Sequence, residues 1–214
     1  MRIDRERDAL VIVDLQHDFL PGGALAVAAG DEIVAPVARL APGFATVVAT
    51  QDWHPRGHVS FASSHPGRKP LDVLELPHGT QELWPDHCVQ GERGAALHPA
   101  VPDAALTLIL RKGTRREVDS YSAFRENVGP DGKRPSTGLA GWLASRGIRR
   151  VFLCGLARDF CVRASAVDAA AEGFEAIVLD DLTRAVFPER RAGVDEIFRK
   201  SGVKLAESAG IAGG

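Results

Sequence analysis

The chain has 214 residues, of which 45% are hydrophobic and 25% are charged, and its formal net charge is -2. These proportions are typical of a globular protein and exclude a disordered, collagen-like or coiled-coil chain. No apolar run approaches the roughly 20 residues of a membrane-spanning helix. No basic run favours nucleic acid or an anionic membrane as a partner, so we expect neither.

Short apolar runs alternate with segments of helical spacing along the chain. The runs are nearly continuous in Val, Ile, Leu and Ala, as expected of strands that are buried on both faces of a parallel sheet. The predicted strands cover residues 9–13, 46–50, 105–110, 151–154, 176–179 and, more weakly, 203–205. The predicted helices cover residues 31–40, 137–146, 160–172 and 189–200.

This alternation predicts an α/β fold: a doubly wound, mostly parallel sheet of about six strands with helices on both faces, in a Rossmann-like three-layer arrangement. No linker or internal repeat divides the chain, so we expect a single domain over residues 1–214. Residues 52–102 and 113–135 do not follow the pattern, and such long irregular segments are usually functional. Ligands bind open parallel sheets at the carboxyl ends of the strands, where the candidate site residues should therefore lie.

Cys161 is the candidate nucleophile among three cysteines, the others being Cys88 and Cys154. An odd, sparse set without C-x-x-C spacing favours a reducing compartment, so we expect a cytoplasmic protein. Asp159 can cap the helix that follows the fourth strand, which would place Cys161 in the first turn and favour a thiolate. The alternative is a buried structural cysteine, and we keep that interpretation for Cys154 inside its strand.

Asp14 and Lys112 end the first and third predicted strands. A lysine at the end of a buried strand needs an anionic partner, and Asp14 could provide it in a purely structural salt bridge. Asp14 could equally cap a turn. In a catalytic interpretation Lys112 would lower the pKa of the thiol, and Asp14 would act as general acid and base. That role requires a pKa above the usual value of about 3.9.

Asp52 and His54 flank Trp53 after the second strand, so their side chains should point to the same face. A carboxylate and an imidazole together suit a first-row divalent metal. A third ligand is needed, and His87 and His58 are the candidates. The alternative is an ordinary surface turn, because D-x-H alone is a weak signal.

Five motifs together resemble the nicotinamidase branch of the isochorismatase-like cysteine hydrolases. They are VDLQHDFLPGGAL, ATQDWHPRGHVSFAS, LWPDHCVQG, RKGT followed by DSYSAF, and GLARDFCV, and they stand in the family's order between residues 9 and 185. The resemblance implies an isochorismatase-like domain with a metal-site loop region at 52–102 and a substrate-covering loop at 113–135. Arg158 and Phe160 depart from the family's usual Thr and Tyr or His, and we expect them to tune packing at most.

The resemblance also implies a role for each matching position. The catalytic triad would be Asp14, Lys112 and Cys161. The oxyanion hole would be the backbone amides of Ala157 and Cys161, with a cis peptide between Leu156 and Ala157. One divalent ion (zinc, iron or manganese) would be held by Asp52, His54 and His87, with Ser60 close to it and His58 as the weaker claimant. The pyridine ring would lie in a slot lined by Phe19, Leu25, Trp84 and Tyr121.

The activity that the resemblance implies is the hydrolysis of nicotinamide to nicotinate and ammonia through a thioester, as a step of NAD salvage. The partner would be this small molecule, and a homo-oligomer is possible. One alternative is another amide or ureide hydrolase of the superfamily, of the carbamoylsarcosine or ureidoacrylate type, which usually lacks the metal ligands. The other is a non-catalytic metal or thiol sensor, which would give Lys112 no role.

Overall fold

The structure is a computed structural model that describes residues 1–211. Its strands are β1 (Asp8–Val13), β2 (Thr46–Asp52), β3 (Val73–Leu76), β4 (Gly79–Glu82), β5 (Leu108–Lys112), β6 (Arg150–Leu156), β7 (Glu175–Arg184) and β8 (Lys204–Ala206). Its α-helices are α1 (Val34–Leu40), α2 (Leu139–Ser145), α3 (Arg163–Ala171) and α4 (Arg191–Lys200). Among residues 1–211, no helix is both long and apolar enough to cross a bilayer.

Six strands form one parallel sheet in the order β5-β2-β1-β6-β7-β8. The chain proceeds outward from β1 through β2 to β5 and then returns to the other side of β1 with β6. Right-handed crossovers in these opposite directions place α1 and α3 on opposite faces of the sheet. The predicted doubly wound parallel fold is therefore confirmed.

The central strands are apolar on both faces because both faces are covered. Every residue of β1 and of β2 is buried, as the continuous apolar runs predict. The register pairs Val13 with Gly155 and Asp52 with Lys112, so the carboxyl ends of β1, β6, β2 and β5 meet at one edge. This edge is the topological switch point of the sheet, where open α/β folds bind ligands.

Several predicted boundaries differ from those in the structure. The predicted strand 176–179 is longer, Glu175–Arg184, and the predicted helix 189–200 begins with a 3-10 turn, Pro188–Arg190. The third main strand begins at Leu108, not at Ala105, because residues Asp103–Ala105 form a 3-10 turn after Pro102. Lys112 is the last residue of this strand, at the strand end where the sequence places it. The predicted helix 160–172 divides into a π-helical turn, Arg158–Val162, and α3. The predicted helix 31–40 likewise divides into a 3-10 turn, Gly30–Ile33, and α1.

The irregular segment 52–102 contains an antiparallel hairpin that the sequence analysis does not predict. Strands β3 and β4 pair there, with alternating exposed and half-buried residues in β3. The amide of Ala62 donates to the carbonyl of Trp84, and the amide of Trp84 donates to the carbonyl of Ser60 (2.8 and 2.7 Å). These bonds hold the two limbs of the segment together and bring distant polar residues to the edge of the sheet.

Candidate active site

Lys112 is the centre of a buried polar cluster at the carboxyl edge of the sheet. Its Nζ lies 2.8 Å from Asp14 Oδ2 and also contacts Asp52 Oδ1. The same ammonium group donates to the carbonyl of Ser120 (3.2 Å) and to Cys161 Sγ (3.3 Å). Burial alone would lower the pKa of Lys112, but the two carboxylates raise it well above its ordinary value. The lysine is therefore protonated, and its ammonium group contacts four polar groups.

Asp14 faces both Lys112 and the thiol. Thr50 Oγ1 donates to Asp14 Oδ1 (2.6 Å) and accepts the Asp14 amide (3.1 Å), which fixes the carboxylate at the end of β1. Oxygen and sulfur ligand atoms of Asp14, Asp52 and Cys161 lie within 4.8 Å of one another. Burial raises the pKa of Asp14 above its ordinary value, although Lys112 lowers it. This is the direction that a proton-accepting carboxyl requires.

Cys161 lies in the π-helical turn between β6 and α3, not in the first turn of an α-helix. Asp159 does not cap this turn, because its carboxylate accepts the backbone amides of Val186 and Phe187 (both 2.9 Å). Burial raises the pKa of the Cys161 thiol well above its ordinary value and outweighs the lowering effect of Lys112. This direction favours a neutral thiol and does not support the expected resting thiolate, so a base such as Asp14 would have to remove the proton.

The main chain before Cys161 has the arrangement that the resemblance implies. The peptide bond between Leu156 and Ala157 is cis. The carbonyl of Ala157 accepts the amides of Phe160 (3.1 Å) and Val162 (3.0 Å), which closes the turn around the nucleophile candidate. Cys161 is 5% exposed, whereas Cys88 and Cys154 are fully buried.

Asp52, His54 and His87 form a group that can hold a metal ion, with ligand atoms within 4.8 Å of one another. Asp52 Oδ2 lies 3.6 Å from His54 Nε2 and 4.0 Å from His87 Nε2. Each histidine donates its Nδ1 hydrogen to a carbonyl, that of Gly113 (2.9 Å) or of Pro85 (2.8 Å). Both Nε2 atoms therefore face the carboxylate and are the ring nitrogens that remain for a metal ion. Burial, with the adjacent His54, lowers the pKa of His87 to about 4, so its imidazole is neutral.

His58 and Ser60 interact with each other rather than with this group. Ser60 Oγ donates to His58 Nδ1 (2.7 Å), and His58 Nε2 donates to the carbonyl of Val118 (3.2 Å). Both ring nitrogens of His58 are thus engaged, which favours His87 as the third ligand. His58 stacks on His54 with ring centroids 4.1 Å apart. It also lies within 4.8 Å of His54 and Asp119 ligand atoms, but Asp119 is occupied by Gln81 and the Ser120 amide.

Aromatic side chains, among them the expected slot residues Trp84 and Tyr121, form a connected group. Trp84 Nε1 donates to the hydroxyl of Tyr121 (3.3 Å), and Phe19 lies 5.6 Å from the ring of His87. Phe160 packs edge-on against Trp84 (4.9 Å between centroids) and lies 5.6 Å from Tyr121. Phe160 thus belongs to this group of aromatic rings, whereas the sequence analysis expects it only to tune packing. Leu25 is half-buried against the core, on the loop that follows β1.

The sequence reasoning missed several residues that hold this site in place. Gln16 donates to the carbonyls of Asp52 and Ala95 and accepts the amide of Asp52, each at 2.8 Å. Asp18 accepts the amide of Cys88 (2.7 Å) and so ties the loop after β1 to the loop that carries His87. Both lie within the motif VDLQHDF, and their polar side chains next to a buried strand are the signal that could have identified them.

Relatives of known activity match most of the chain. A nicotinamidase of Acinetobacter baylyi is 49% identical over 178 residues, which are 83% of this chain and 81% of the relative. A nicotinamidase of Escherichia coli is 43% identical over 182 residues, 83% of each chain.

Solved structures share the fold over nearly the whole chain. A nicotinamidase and pyrazinamidase of Acinetobacter baumanii superposes with a TM-score of 0.90 at 42% identity, covering 95% of this chain and 97% of that one. A protein of L. infantum in complex with nicotinate has a TM-score of 0.87 at 39% identity, covering 99% and 98%. A pyrazinamidase of Pyrococcus horikoshii in complex with zinc has a TM-score of 0.75 at 35% identity, covering 94% and 99%.

The family model described as Isochorismatase domain matches residues 8–209, which is nearly all of the sheet and its connections. This span includes Asp14, Lys112 and Cys161 as well as the group of possible metal ligands. The chain therefore belongs to the isochorismatase domain family.

Proposed function

We propose that this protein is a nicotinamidase, a cysteine amidohydrolase that converts nicotinamide to nicotinate and ammonia. The observation that carries the proposal is the single ammonium group of Lys112, which contacts Asp14, Cys161 Sγ and Asp52 at one sheet edge. A hydrolase needs a nucleophile, a proton acceptor and a substrate anchor side by side, and this cation joins all three candidates. The nicotinamidases among the relatives, at 49% and 43% identity, support the same activity.

Cys161 is the nucleophile, with Asp14 as its general base. Asp14 accepts the thiol proton, and Sγ forms a bond to the carboxamide carbon while the carbonyl electron pair moves to oxygen. The amides of Ala157 and Cys161 donate to this oxyanion. Removal of one such donor typically costs on the order of a hundredfold in rate.

Asp14 also serves the two later steps. It returns the proton to the amide nitrogen, so that the C–N bond breaks, ammonia leaves and a thioester remains on Cys161. It then accepts a proton from water, which attacks the thioester. Sγ leaves with the proton from Asp14, which restores the resting thiol. The product is nicotinic acid, which loses its proton to the solvent and is released as nicotinate. Lys112 keeps its charge throughout and compensates the negative charge on Asp14.

Asp52, His54 and His87 would hold one divalent ion, which could be zinc, iron or manganese. The fit rests on the two Nε2 atoms that face the Asp52 carboxylate, and a zinc complex of a 35% identical pyrazinamidase supports it. A bound ion would supply a Lewis acid for the pyridine nitrogen, which orients the carboxamide toward Cys161. We propose that Ser60 is not a direct ligand of the ion and acts through its hydrogen bond to His58. We assign His58 no ligand role either.

Phe19, Leu25, Trp84 and Tyr121 are proposed to line the slot for the pyridine ring. The aromatic contacts around Trp84 favour a flat ring over an extended ureide chain. In the single domain, residues 52–102 supply metal ligands and residues 113–135 cover the substrate. The alternative ureide hydrolases usually lack the metal ligands, and a sensor module would leave Lys112 without a role, so neither is favoured.

The setting of the reaction is part of the proposal. The partner is the small molecule nicotinamide, not nucleic acid or a membrane, and nicotinate enters NAD salvage. All three cysteines are free, which suits a reducing compartment, and we place the enzyme in the cytoplasm. A homo-oligomer is compatible with this assignment.

An ammonia-release assay tests the proposal. Purified protein loaded with zinc, iron or manganese in turn is offered nicotinamide, pyrazinamide, N-carbamoylsarcosine and ureidoacrylate, with Cys161→Ala as the blank. We expect ammonia from nicotinamide and none from either ureide. Turnover of a ureide alone would replace the proposed activity with that of the alternative, and no release from any amide with every metal would refute both.

A further inference from the structure

Arg158 is a buried cation at the start of the turn that carries Cys161. The residue is 3% exposed and directly follows Ala157. Its Nε and Nη2 donate to Asp180 Oδ1 (3.0 and 2.6 Å), and Nη2 also donates to Asp195 Oδ1 (2.7 Å). One side chain thus joins the turn to β7 and to α4.

Asp180 lies where β7 departs from regular pairing with β6. The two strands are in register up to the pair Leu153 and Val178, and pairing resumes with Gly155 and Thr183. The residues of β7 between these pairs bulge out of the ladder, and Asp180 in the bulge reaches Arg158. The guanidinium therefore fixes the strand irregularity that lies beside the carboxyl end of β6.

A second side chain of the same turn makes a parallel connection. Asp159 accepts the amides of Val186 and Phe187, in the segment between β7 and α4. The first two side chains of the turn, Arg158 and Asp159, thus both bind the unit formed by β7, α4 and the segment between them. The ring of Phe187 in this segment lies 6.0 Å from the ring of Phe160, so a third residue of the turn also contacts this segment.

Stability alone does not account for a buried arginine at this position. A buried ion pair contributes little net stability compared with apolar residues of the same volume. Moreover, Nη1 of Arg158 is buried without a hydrogen-bond partner among the described residues, which is a further cost. The resemblance described above places Thr here in many members, so the arginine is not required by the fold.

We propose that Arg158 is a positioning residue, which holds the main chain of the turn so that the amides of Ala157 and Cys161 converge on the oxyanion. This inference rests on the proposed function. The side chain acts through its own backbone, which adjoins the Ala157 amide and precedes Cys161 by one helical turn. A misplacement of about 1 Å at such a site can cost on the order of a hundredfold in rate.

Arg158→Met and Arg158→Lys test the proposal. Methionine removes the forked guanidinium group together with its charge. Lysine keeps the charge but has a single donor nitrogen. Asp180 and Asp195 keep a partner in either variant, because Arg191 contacts Asp180 Oδ2 and lies 3.7 Å from Asp195 Oδ2. We therefore expect both variants to fold.

Arg150→Met is the matched control. Arg150 also makes a forked ion pair, with Asp8 (2.9 and 2.5 Å), but it lies at the amino end of β6, whereas Arg158 follows the carboxyl end of that strand. Its loss should lower the melting temperature at least as much as Arg158→Met does, and should leave kcat unchanged. The control separates lost stability from lost positioning.

The readouts are kcat, KM, and the affinities for nicotinaldehyde and nicotinate. An aldehyde adds the thiol reversibly: a C–S bond forms and the thiol proton ends on the carbonyl oxygen, which then lies at the oxyanion amides. Nicotinate forms no such bond. In Arg158→Met we expect kcat and nicotinaldehyde affinity to fall by about tenfold to a hundredfold. KM and nicotinate affinity should stay within about threefold of the wild-type values, and Arg158→Lys should be intermediate.

Two results would overturn the proposal: an unchanged kcat in the Arg158 variants, or equal losses of affinity for nicotinaldehyde and nicotinate. If neither Arg158 variant folds, Asp195→Asn carries the test, because it weakens the one hydrogen bond of Arg158 that goes to α4. It should lower kcat at constant KM, and an unchanged kcat there also overturns the proposal. A wild-type enzyme that releases no ammonia from nicotinamide refutes the proposed function instead, so the two failures are distinguishable.

Discussion

Lys112 contacts the carboxylate of Asp52, a possible metal ligand, as well as that of the proposed base. The sequence suggests only the pairing with Asp14, because nothing in the linear pattern shows that β2 lies between β1 and β5. In the sheet Asp52 is directly opposite Lys112, so their side chains share one edge. The ammonium group thus lies between the metal-binding group and the nucleophile and compensates the negative charges of Asp52 and Asp14.

Lys112→Met should destabilise the protein because it leaves Asp14 and Asp52 buried without their common cation. Loss of one partner of a buried pair typically costs about 3–5 kcal/mol. A bound divalent ion compensates Asp52, so the loss in melting temperature should be smaller in zinc-saturated protein than in metal-free protein. Calorimetry with and without zinc measures the difference. Equal losses in both forms would contradict the shared role of Lys112.

Cys161→Ala should lower the rate of ammonia release by at least about a thousandfold, because the nucleophile is lost. The metal content and melting temperature should remain close to those of the wild type. The matched control is Cys154→Ala, in which an equally buried thiol on β6 is removed away from the cluster. It should cost about 1 kcal/mol of stability and leave the rate unchanged. A rate in Cys161→Ala close to that of the wild type would eliminate the thioester mechanism.

His87→Ala should lower zinc affinity by more than about a hundredfold, whereas His58→Ala should lower it by no more than about tenfold. The difference follows from the ring nitrogens: Nε2 of His87 faces Asp52, and both nitrogens of His58 are engaged by Ser60 and Val118. Competition with a fluorescent zinc chelator measures the two affinities. The reverse order would exchange their roles.

The parallel strands and the polar residues at their ends could be predicted, because buried parallel strands are apolar throughout and end abruptly in polar residues. The order of the strands in the sheet could not be predicted from the linear pattern. Asp14, Lys112 and Cys161 meet as the sequence indicates. The protonation state of Cys161 could not be predicted, since it depends on how deeply the turn is buried. The partners of Asp159 were also not predicted. Val186 and Phe187 follow β7 in the chain and lie near Asp159 only because β7 pairs with β6 on the side away from β1.

The acidic limb of the pH–rate profile should belong to Asp14. Burial raises its pKa, and the carboxyl must be ionised to accept the thiol proton, so kcat/KM falls as pH drops through that raised value. The limb should therefore lie above the ordinary carboxyl range in a profile from about pH 4 to pH 8. Bound zinc is measured at every pH, because histidine ligands also release metal in acid. A limb that follows the loss of zinc, and not the titration of a carboxyl, would contradict the assignment.

Gly113→Ala should impair the metal group from the opposite side of His54. A Cβ at this position would lie 2.4 Å from His54 Cε1 and 2.6 Å from Nδ1, closer than atoms can approach. Gly113 also has a φ of +64°, which costs an alanine about 1–2 kcal/mol. The matched control is Gly202→Ala, which lies outside the substrate-covering segment and has a φ of +73° and no atom within 4 Å of the added carbon.

Both glycine variants carry the same backbone strain, so their melting temperatures should fall by similar amounts from that source. Only Gly113→Ala displaces the ring whose Nδ1 bonds to the Gly113 carbonyl, and only this variant should lose zinc affinity and ammonia release. Isothermal titration with zinc and the ammonia assay, run on both proteins, measure the contrast. Equal zinc affinity in the two variants would show that His54 does not need its present position to bind the ion.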